Sequence, residues 1–188
     1  MHGLISAEGE QIDFRRRPVH LPAGGAVHSI PQRVHQVNDD YWIWGAEATQ
    51  PRLLHTMVRV ADLDRSLRFY CDELGMRLLS RVDVAAGRFS IAFIGFGEDY
   101  SAGALELTYN WDHPANREGY SHGSGYGHVA IGIPDLHGFC ERLAARGIPL
   151  ASGPKSLLPG APALAFIKDP DGYAIELIQT SKQFSRPA

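Results

Sequence analysis

Apolar and polar residues alternate in several short stretches of this chain, which predicts β-strands. In Gly103–Trp111, GALELTYNW, two leucines and a tyrosine alternate with Glu106, Thr108 and Asn110. A period of two gives a strand one apolar and one polar face. The carboxylate of Glu106 lies in the middle of this strand, although the neighbouring leucines predict that the strand is buried. Further strands are predicted over residues 53–60, 77–84, 88–96, 127–134, 148–151, 163–167 and 173–178.

A helical pattern follows the first predicted strand of each half of the chain, with apolar residues three and four positions apart. Asp62 or Asp64 is predicted to cap the first helix and Asp135 the second. Glycines at 75 and 147 are predicted to end them. The apolar stripes are Leu63, Leu67, Tyr70 and Leu74 in the first helix and Leu136, Phe139, Cys140 and Leu143 in the second.

The order of one strand, one helix and three strands occurs twice. The sequence therefore predicts an α+β fold of two βαβββ modules in a pseudo-symmetric arrangement. Module one spans residues 53–111 and module two residues 126–179, within a domain over residues 51–182. Residues 1–50 have weak periodicity and are predicted to form a mostly irregular N-terminal extension.

Aligning the two modules brings the same two residue types into correspondence. When His55 is aligned with His128, an aspartate follows each histidine by seven residues. A glutamate in the last strand follows its histidine by 106 − 55 = 51 residues in module one and 176 − 128 = 48 in module two. Each module therefore has a histidine on its first predicted strand and a glutamate, Glu106 or Glu176, on its last.

Two imidazoles and two carboxylates from matched positions of a repeat suggest a metal site. A lone carboxylate buried in a strand is costly, but a divalent ion held by carboxylates and neutral imidazoles removes that cost. His55, Glu106, His128 and Glu176 are therefore candidate metal ligands. The alternative is a set of buried His–Glu hydrogen bonds that hold no metal.

Composition narrows the class of protein. A chain of 188 residues with 44% hydrophobic residues can bury a substantial core. The net charge of −3 provides no basic field for nucleic acid or an anionic membrane, and no apolar run approaches the ~18 residues of a membrane span. Two cysteines without a CxxC motif, and an N-terminal stretch MHGLISAEGE without the pattern of a secretory signal, predict a cytoplasmic protein.

Long motifs of the chain resemble glyoxalase I, the lactoylglutathione lyases of the vicinal-oxygen-chelate superfamily. The motifs are LLHTMVRVADLDRSLRFYCDELGMRLL, LELTYNW, YGHVAI and AFIKDPDGYAIELI, and the resemblance runs from about Leu53 to Gln179. It implies the fold of that superfamily and a homodimer whose active sites are shared between subunits. The family's metal ligands fall on His55, Glu106, His128 and Glu176, and histidine as the first ligand implies nickel or cobalt, with zinc possible.

The resemblance also implies a reaction, which is the detoxification of methylglyoxal. Methylglyoxal and glutathione form a hemithioacetal, which the enzyme isomerises to S-lactoylglutathione through a metal-bound enediolate. By this analogy Glu176 is the base and Glu106 is a fixed ligand or a second base. Arg59 and Asn110 fall on family positions that bind the γ-glutamyl end of glutathione. A structural salt bridge is the alternative role for Arg59.

Other activities on the same fold remain open at this point, because a fold does not fix a function. A dioxygenase of this superfamily would use iron with two histidines and one glutamate and would not require Glu106. A thiol transferase or an epimerase could share the metal ligands and differ in the substrate pocket. A drug-binding protein of this fold would lack the metal ligands, which argues against that class here.

Overall fold

The computed structural model describes residue 51 and residues 53–182, and the extension predicted for residues 1–50 lies outside them. The chain divides into two compact units between Glu118 and Gly119. Each unit contains one four-stranded sheet. Within the described residues, no helix combines the length and the hydropathy that a membrane crossing requires.

Unit 1 contains a four-stranded mixed sheet in the order β1-β4-β3-β2. β1 and β4 are parallel, whereas β3 is antiparallel to both of its neighbours. The elements are β1 His55–Arg59, α1 Leu63–Leu67 with a π-helical continuation Arg68–Glu73, β2 Arg77–Val84, β3 Phe89–Gly95, a 3₁₀ turn Tyr100–Ala102, β4 Ala104–Asn110 and α2 Ala115–Glu118.

Unit 2 repeats this topology with the strand order β5-β8-β7-β6. Its parallel pair is β5 and β8, which correspond to β1 and β4. The elements are β5 Val129–Ile133, α3 Leu136–Ala145, β6 Leu150–Ser156, β7 Ala163–Lys168 and β8 Ala174–Gln179. The predicted α+β fold of two βαβββ modules is confirmed.

Both helices begin at the same kind of cap and end at a glycine. The Asp62 side chain accepts a hydrogen bond from the Arg65 backbone N–H at 2.9 Å, and Asp135 accepts one from that of Gly138 at 3.0 Å. Gly75 and Gly147 follow the helices with φ near +80°, a conformation that other residues adopt only with strain. All eight residues of the predicted apolar stripes are buried.

Gln179 joins the last strand of unit 2 to the start of α3. Its side chain is buried, and its Oε1 accepts a hydrogen bond from the Leu136 backbone N–H at 2.8 Å. Its Nε2 donates to the carbonyl oxygens of Pro134 and Ser181. The amide thus satisfies backbone groups where β5 turns into α3.

Three local features differ from the prediction. β6 is longer than the strand predicted over residues 148–151, because it continues through Pro154 with two register shifts against β7. A proline is tolerated there because β6 is an edge strand. The first helix becomes π-helical at Arg68, and β5 begins at Val129, one residue after His128.

Candidate metal half-sites

The first predicted pair of ligands lies on one face of the sheet in unit 1. Glu106 in β4 is the Cα partner of Met57 in β1, and His55 lies two residues before Met57 on the same face. The His55 Nε2 is 3.1 Å from the Glu106 Oε2, and the side chains are 28% and 16% exposed. The strand register of unit 1 therefore brings this imidazole and this carboxylate together.

The second predicted pair has the same geometry in unit 2. Glu176 in β8 is the Cα partner of Ala130 in β5, and His128 lies two residues before Ala130. The His128 Nε2 is 3.1 Å from the Glu176 Oε2, with side-chain exposures of 43% and 15%. His128 precedes the strand instead of lying within it, yet the pair matches that of unit 1 in distance and register.

A phenylalanine supports each pair, and the sequence reasoning missed both. Phe93 and Phe166 are the Cα partners of Glu106 and Glu176 on the neighbouring strand. The Phe93 ring meets His55 edge to face at 5.3 Å, and the Phe166 ring meets His128 in the same way at 5.6 Å. The repeated tripeptide AFI could have revealed them, because 93 − 55 and 166 − 128 both equal 38.

We call the His55–Glu106 pair and the His128–Glu176 pair the two half-sites. They differ in the residue that follows each glutamate by two positions. In unit 1 the Thr108 hydroxyl donates a hydrogen bond to the Glu106 Oε1 at 2.8 Å. The equivalent residue of unit 2 is Ile178, which has no hydroxyl. Among the described residues no hydrogen bond to the Glu176 Oε1 is found, so only Glu106 has both of its oxygens bound.

The predicted substrate-binding residues lie along the same face of unit 1. Arg59 is the Cα partner of Thr108, and Asn110 follows Thr108 by two residues. Arg59 is exposed, and within the described residues it takes part in no ion pair. The Asn110 backbone carbonyl accepts a hydrogen bond from the Asn116 side chain at 2.6 Å.

The position equivalent to Arg59 in unit 2 is Gly132, because each is four residues after its histidine. A Cβ atom at Gly132 would lie 2.7 Å from the Thr180 Cγ2, so a side chain there would displace Thr180. The face that carries the pair in unit 1 therefore has a guanidinium that unit 2 lacks.

An aromatic cluster lies where the chain approaches the second half-site. His122 stacks on Tyr173 at 4.2 Å, and Tyr126 meets Tyr173 edge to face at 5.0 Å. The Tyr126 hydroxyl donates to the Ala174 carbonyl at 3.0 Å, and burial raises the pKa of Tyr126, so the hydroxyl keeps its proton. This bond ties the residues just before His128 to those just before Glu176.

A cavity of about 330 Å³ in unit 1 lies on the opposite face of the sheet. Its floor includes Asp83, Ser90 and Tyr109, which are register partners across three neighbouring strands. Tyr109 alternates with Glu106 and Thr108, so its side chain points to the face that α1 covers. The cavity is therefore separate from the His55–Glu106 half-site.

The donor atoms of each half-site suit a transition metal or zinc. Neutral imidazole and carboxylate ligands fit zinc, nickel and cobalt. Ligand atoms about 2.1 Å from an ion and at right angles to each other are about 3.0 Å apart. The 3.1 Å separation within each pair fits that arrangement. Within the described residues no group of three or more His, Cys, Asp and Glu side chains could hold a metal, and each unit alone contains two of the candidate ligands.

Comparisons with known proteins agree with this fold and these motifs. A family model described as the Glyoxalase/Bleomycin resistance protein/Dioxygenase superfamily matches residues 52–177. A lactoylglutathione lyase of Neisseria meningitidis is 45% identical over 128 residues, which cover 68% of this chain and 90% of that protein.

Two solved structures are also similar. Glyoxalase I of Zea mays has a TM-score of 0.64 and 38% identity, over 70% of this chain and 45% of the maize chain. This chain thus spans less than half of the maize protein's length. The trypanothione-dependent glyoxalase I of Leishmania major has a TM-score of 0.59 and 39% identity, over 69% of this chain and 87% of that chain.

Proposed function

Because the chain belongs to the glyoxalase/bleomycin resistance protein/dioxygenase superfamily and is an enzyme of its glyoxalase I group, we propose that it isomerises the hemithioacetal of methylglyoxal and glutathione to S-lactoylglutathione. Membership of this group implies a metal ion and a glutathione-derived substrate. The observation that carries the proposal is the His–Glu pair that recurs with the same 3.1 Å separation and register in both units.

The proposed metal ligands are His55, Glu106, His128 and Glu176. A bound divalent ion would supply Lewis-acid stabilisation of the negative charge that develops on the substrate oxygens. Nickel or cobalt is the proposed ion, on the ground that the first ligand is histidine, and zinc is the alternative. Dioxygenase chemistry would need only one of the two glutamates, whereas both are present here in paired geometry.

Glu176 is the proposed base. It removes the proton from C1 of the hemithioacetal, which the neighbouring carbonyl acidifies, and the C–H electrons form the enediolate. The same carboxyl group then returns the proton to C2, so the reaction needs no oxidant or co-reactant. The Glu176 side chain is 15% exposed, so little solvent water reaches the carboxylate to exchange the proton that it carries.

Arg59 and Asn110 are the proposed binding residues for the γ-glutamyl end of the substrate. A guanidinium pairs with a carboxylate through two parallel hydrogen bonds. Arg59 is exposed on the same face as His55, and no described carboxylate pairs with it. The proposed assembly is a homodimer with shared active sites, and the proposed location is the cytoplasm, which the free thiols of Cys71 and Cys140 support.

The direct test is reconstitution of the metal-free chain with nickel, cobalt or zinc, followed by addition of methylglyoxal and glutathione. We expect S-lactoylglutathione to form, fastest with nickel or cobalt. Absence of product with every metal would overturn the proposed reaction. Transfer of another thiol or cleavage of a catechol by the same preparations would favour a different member of the superfamily.

The base is tested with the variant Glu176→Gln. We expect turnover to fall by at least about 10³-fold, because the amide cannot accept the proton, while part of the nickel affinity remains. Isomerisation at nearly the normal rate by the nickel-loaded variant would exclude Glu176 as the base. Calorimetric titration with nickel shows whether the variant is loaded, and circular dichroism shows whether it is folded.

A further inference from the structure

The Thr108 hydroxyl distinguishes the two half-sites, and we propose that it assigns their glutamates different roles. It fixes Glu106 as a stationary ligand and thereby leaves Glu176 as the carboxylate that moves and carries the proton. This inference rests on the proposed function, because it concerns which carboxylate acts in that isomerisation.

Glu106 is held through both of its carboxylate oxygens. The His55 Nε2 lies 3.1 Å from one oxygen, and the Thr108 hydroxyl donates to the other at 2.8 Å. Thr108 is only 8% exposed, so water does not compete effectively for this charge-assisted hydrogen bond. Rotation of the Glu106 side chain would break both contacts at once.

Glu176 has one of these two contacts. Its Oε2 meets the His128 Nε2 at 3.1 Å, but the residue two positions further along β8 is Ile178. The two positions are equivalent in register, because Thr108 pairs with Arg59 and Ile178 pairs with Gly132, each four residues after its histidine. In the part of the chain that the structure describes, Glu176 can therefore swing without losing a second hydrogen bond.

This difference matters because the base has two tasks. It must take the proton at C1 and deliver the same proton at C2, so its oxygens must reach two carbon atoms in turn. A carboxylate with a free oxygen can do this, whereas a carboxylate bound through both oxygens can only remain a ligand. Two half-sites with the same His–Glu distance thus acquire different chemical roles through one hydroxyl group.

The first test measures nickel binding and does not depend on turnover. Thr108→Val keeps the shape of the side chain and removes the hydroxyl, whereas Thr108→Ser keeps the hydroxyl and removes a methyl group. By calorimetry we expect Thr108→Val to weaken nickel binding by about 10-fold, the usual effect of losing a hydrogen bond to a ligand. We expect Thr108→Ser to stay within about 3-fold of the original affinity.

The second test asks whether the role of base can be passed to Glu106. In a Glu176→Gln background, Thr108→Val frees Glu106, so we expect the residual turnover to rise by about 10-fold. Thr108→Ser in the same background should give no increase. A purely structural role for Thr108 would instead predict a further loss of activity in both double variants.

The third variant, Ile178→Thr, adds a hydroxyl beside Glu176 and leaves Thr108 intact. We expect kcat to fall by about 10-fold with little change in KM, and this variant keeps the idea testable if Thr108→Val does not fold. Three results together would overturn the inference. They are an unchanged nickel affinity in Thr108→Val, no rise in residual turnover in the Glu176→Gln, Thr108→Val double variant, and a normal kcat in Ile178→Thr. If the unmodified chain forms no S-lactoylglutathione while Thr108→Val still weakens nickel binding, the proposed reaction is wrong, but the role of Thr108 in fixing Glu106 as a metal ligand is supported.

Discussion

Arg59 is the residue on the candidate face whose chemistry points most directly to an anionic substrate. It is exposed, it lies on the same strand face as His55, and its partner across the sheet is Thr108. A guanidinium without a carboxylate partner in the described part of the protein is available to a substrate carboxylate. The equivalent position of unit 2 is a glycine, so the proposed recognition of a substrate carboxylate belongs to one half-site only.

We therefore expect Arg59→Ala to raise the KM for the glutathione hemithioacetal by about 10- to 100-fold, the range for a lost charged hydrogen-bond pair, with a smaller change in kcat. Steady-state kinetics with varied substrate provide the measurement. Arg68→Ala is the matched control, because Arg68 is an exposed arginine on the first helix of unit 1. Equal KM values for all three proteins would show that the γ-glutamyl end binds elsewhere.

Cys71 is a cysteine whose thiol reactivity is lowered by the fold. Burial raises the pKa of its thiol to about 11 from the usual 9.0, and the charge of Asp72 adds to the rise. The folded state therefore favours the neutral thiol. This contribution to the free energy of unfolding is fully present below pH 9.0, the usual pKa of the thiol, and is lost as the pH rises through about 11.

Because the thiolate is the reactive form, alkylation of Cys71 by iodoacetamide at pH 8 should be about 100-fold slower in the folded protein than in urea. Mass spectrometry of the alkylated peptides measures both rates, and the peptide that contains Cys140 is followed in the same digest. Burial also raises the pKa of Cys140, so both thiols should react slowly. Rapid labelling of Cys71 at pH 8 would show that its site opens to solvent.

At the scale of elements, Gln179 connects the end of β8 to the start of α3. Gln179 ends the strand that bears Glu176 and makes hydrogen bonds to three backbone groups at the start of the helix and beyond the strand. Its side chain is 4% exposed, so its partners have no easy access to water. A leucine at this position would leave the Leu136 N–H and the Pro134 carbonyl without their partner.

Gln179→Leu should lower the free energy of unfolding by about 2–4 kcal/mol, since buried polar groups that lose their partners carry the full cost of desolvation. Urea denaturation followed by circular dichroism measures the change. Thr180→Ala alters the adjacent exposed side chain and should stay within about 0.5 kcal/mol of the original protein. A similarly small effect of Gln179→Leu would mean that water reaches these backbone groups.

The same elements show what the sequence could predict. Period-two alternation predicts the strands and the aspartate–glycine pattern predicts α1 and α3, because these signals are local, whereas α2 was not predicted. β6 was underestimated, since Gly153 and Pro154 interrupt its alternation and its register shifts depend on pairing with β7. Phe93 and Phe166 were not predicted as site residues, because they meet the histidines and glutamates only through pairing across the sheet. The sequence places Thr108 on the face of Glu106, but the hydrogen bond between them depends on the side-chain conformation.

At the scale of the whole molecule, the repeat divides the candidate ligands evenly. Unit 1 contributes His55 and Glu106, and unit 2 contributes His128 and Glu176. Each pair is already formed within its own sheet, at 3.1 Å in both cases. The proposed homodimer would contain two copies of each unit, and shared sites would combine unit 1 of one subunit with unit 2 of the other.

This arrangement predicts complementation between two inactive variants. His55→Ala removes a ligand from unit 1 and His128→Ala removes one from unit 2, so each homodimer should lose nickel binding and activity at both sites. In a heterodimer with shared sites, one site carries both defects and the other combines two intact units. Random reassortment gives half heterodimers, each with one intact site of two, so the mixture should recover about a quarter of the normal activity.

The experiment is to mix the two variants in equal amounts, unfold and refold them together, and measure turnover and bound nickel against each variant refolded alone. The double variant, with both histidines replaced in one chain, is the control, because its mixture with itself contains no intact combination. If the sites instead lie within single subunits, every site in the mixture carries one defect, and both activity and bound nickel stay at the level of the separate variants.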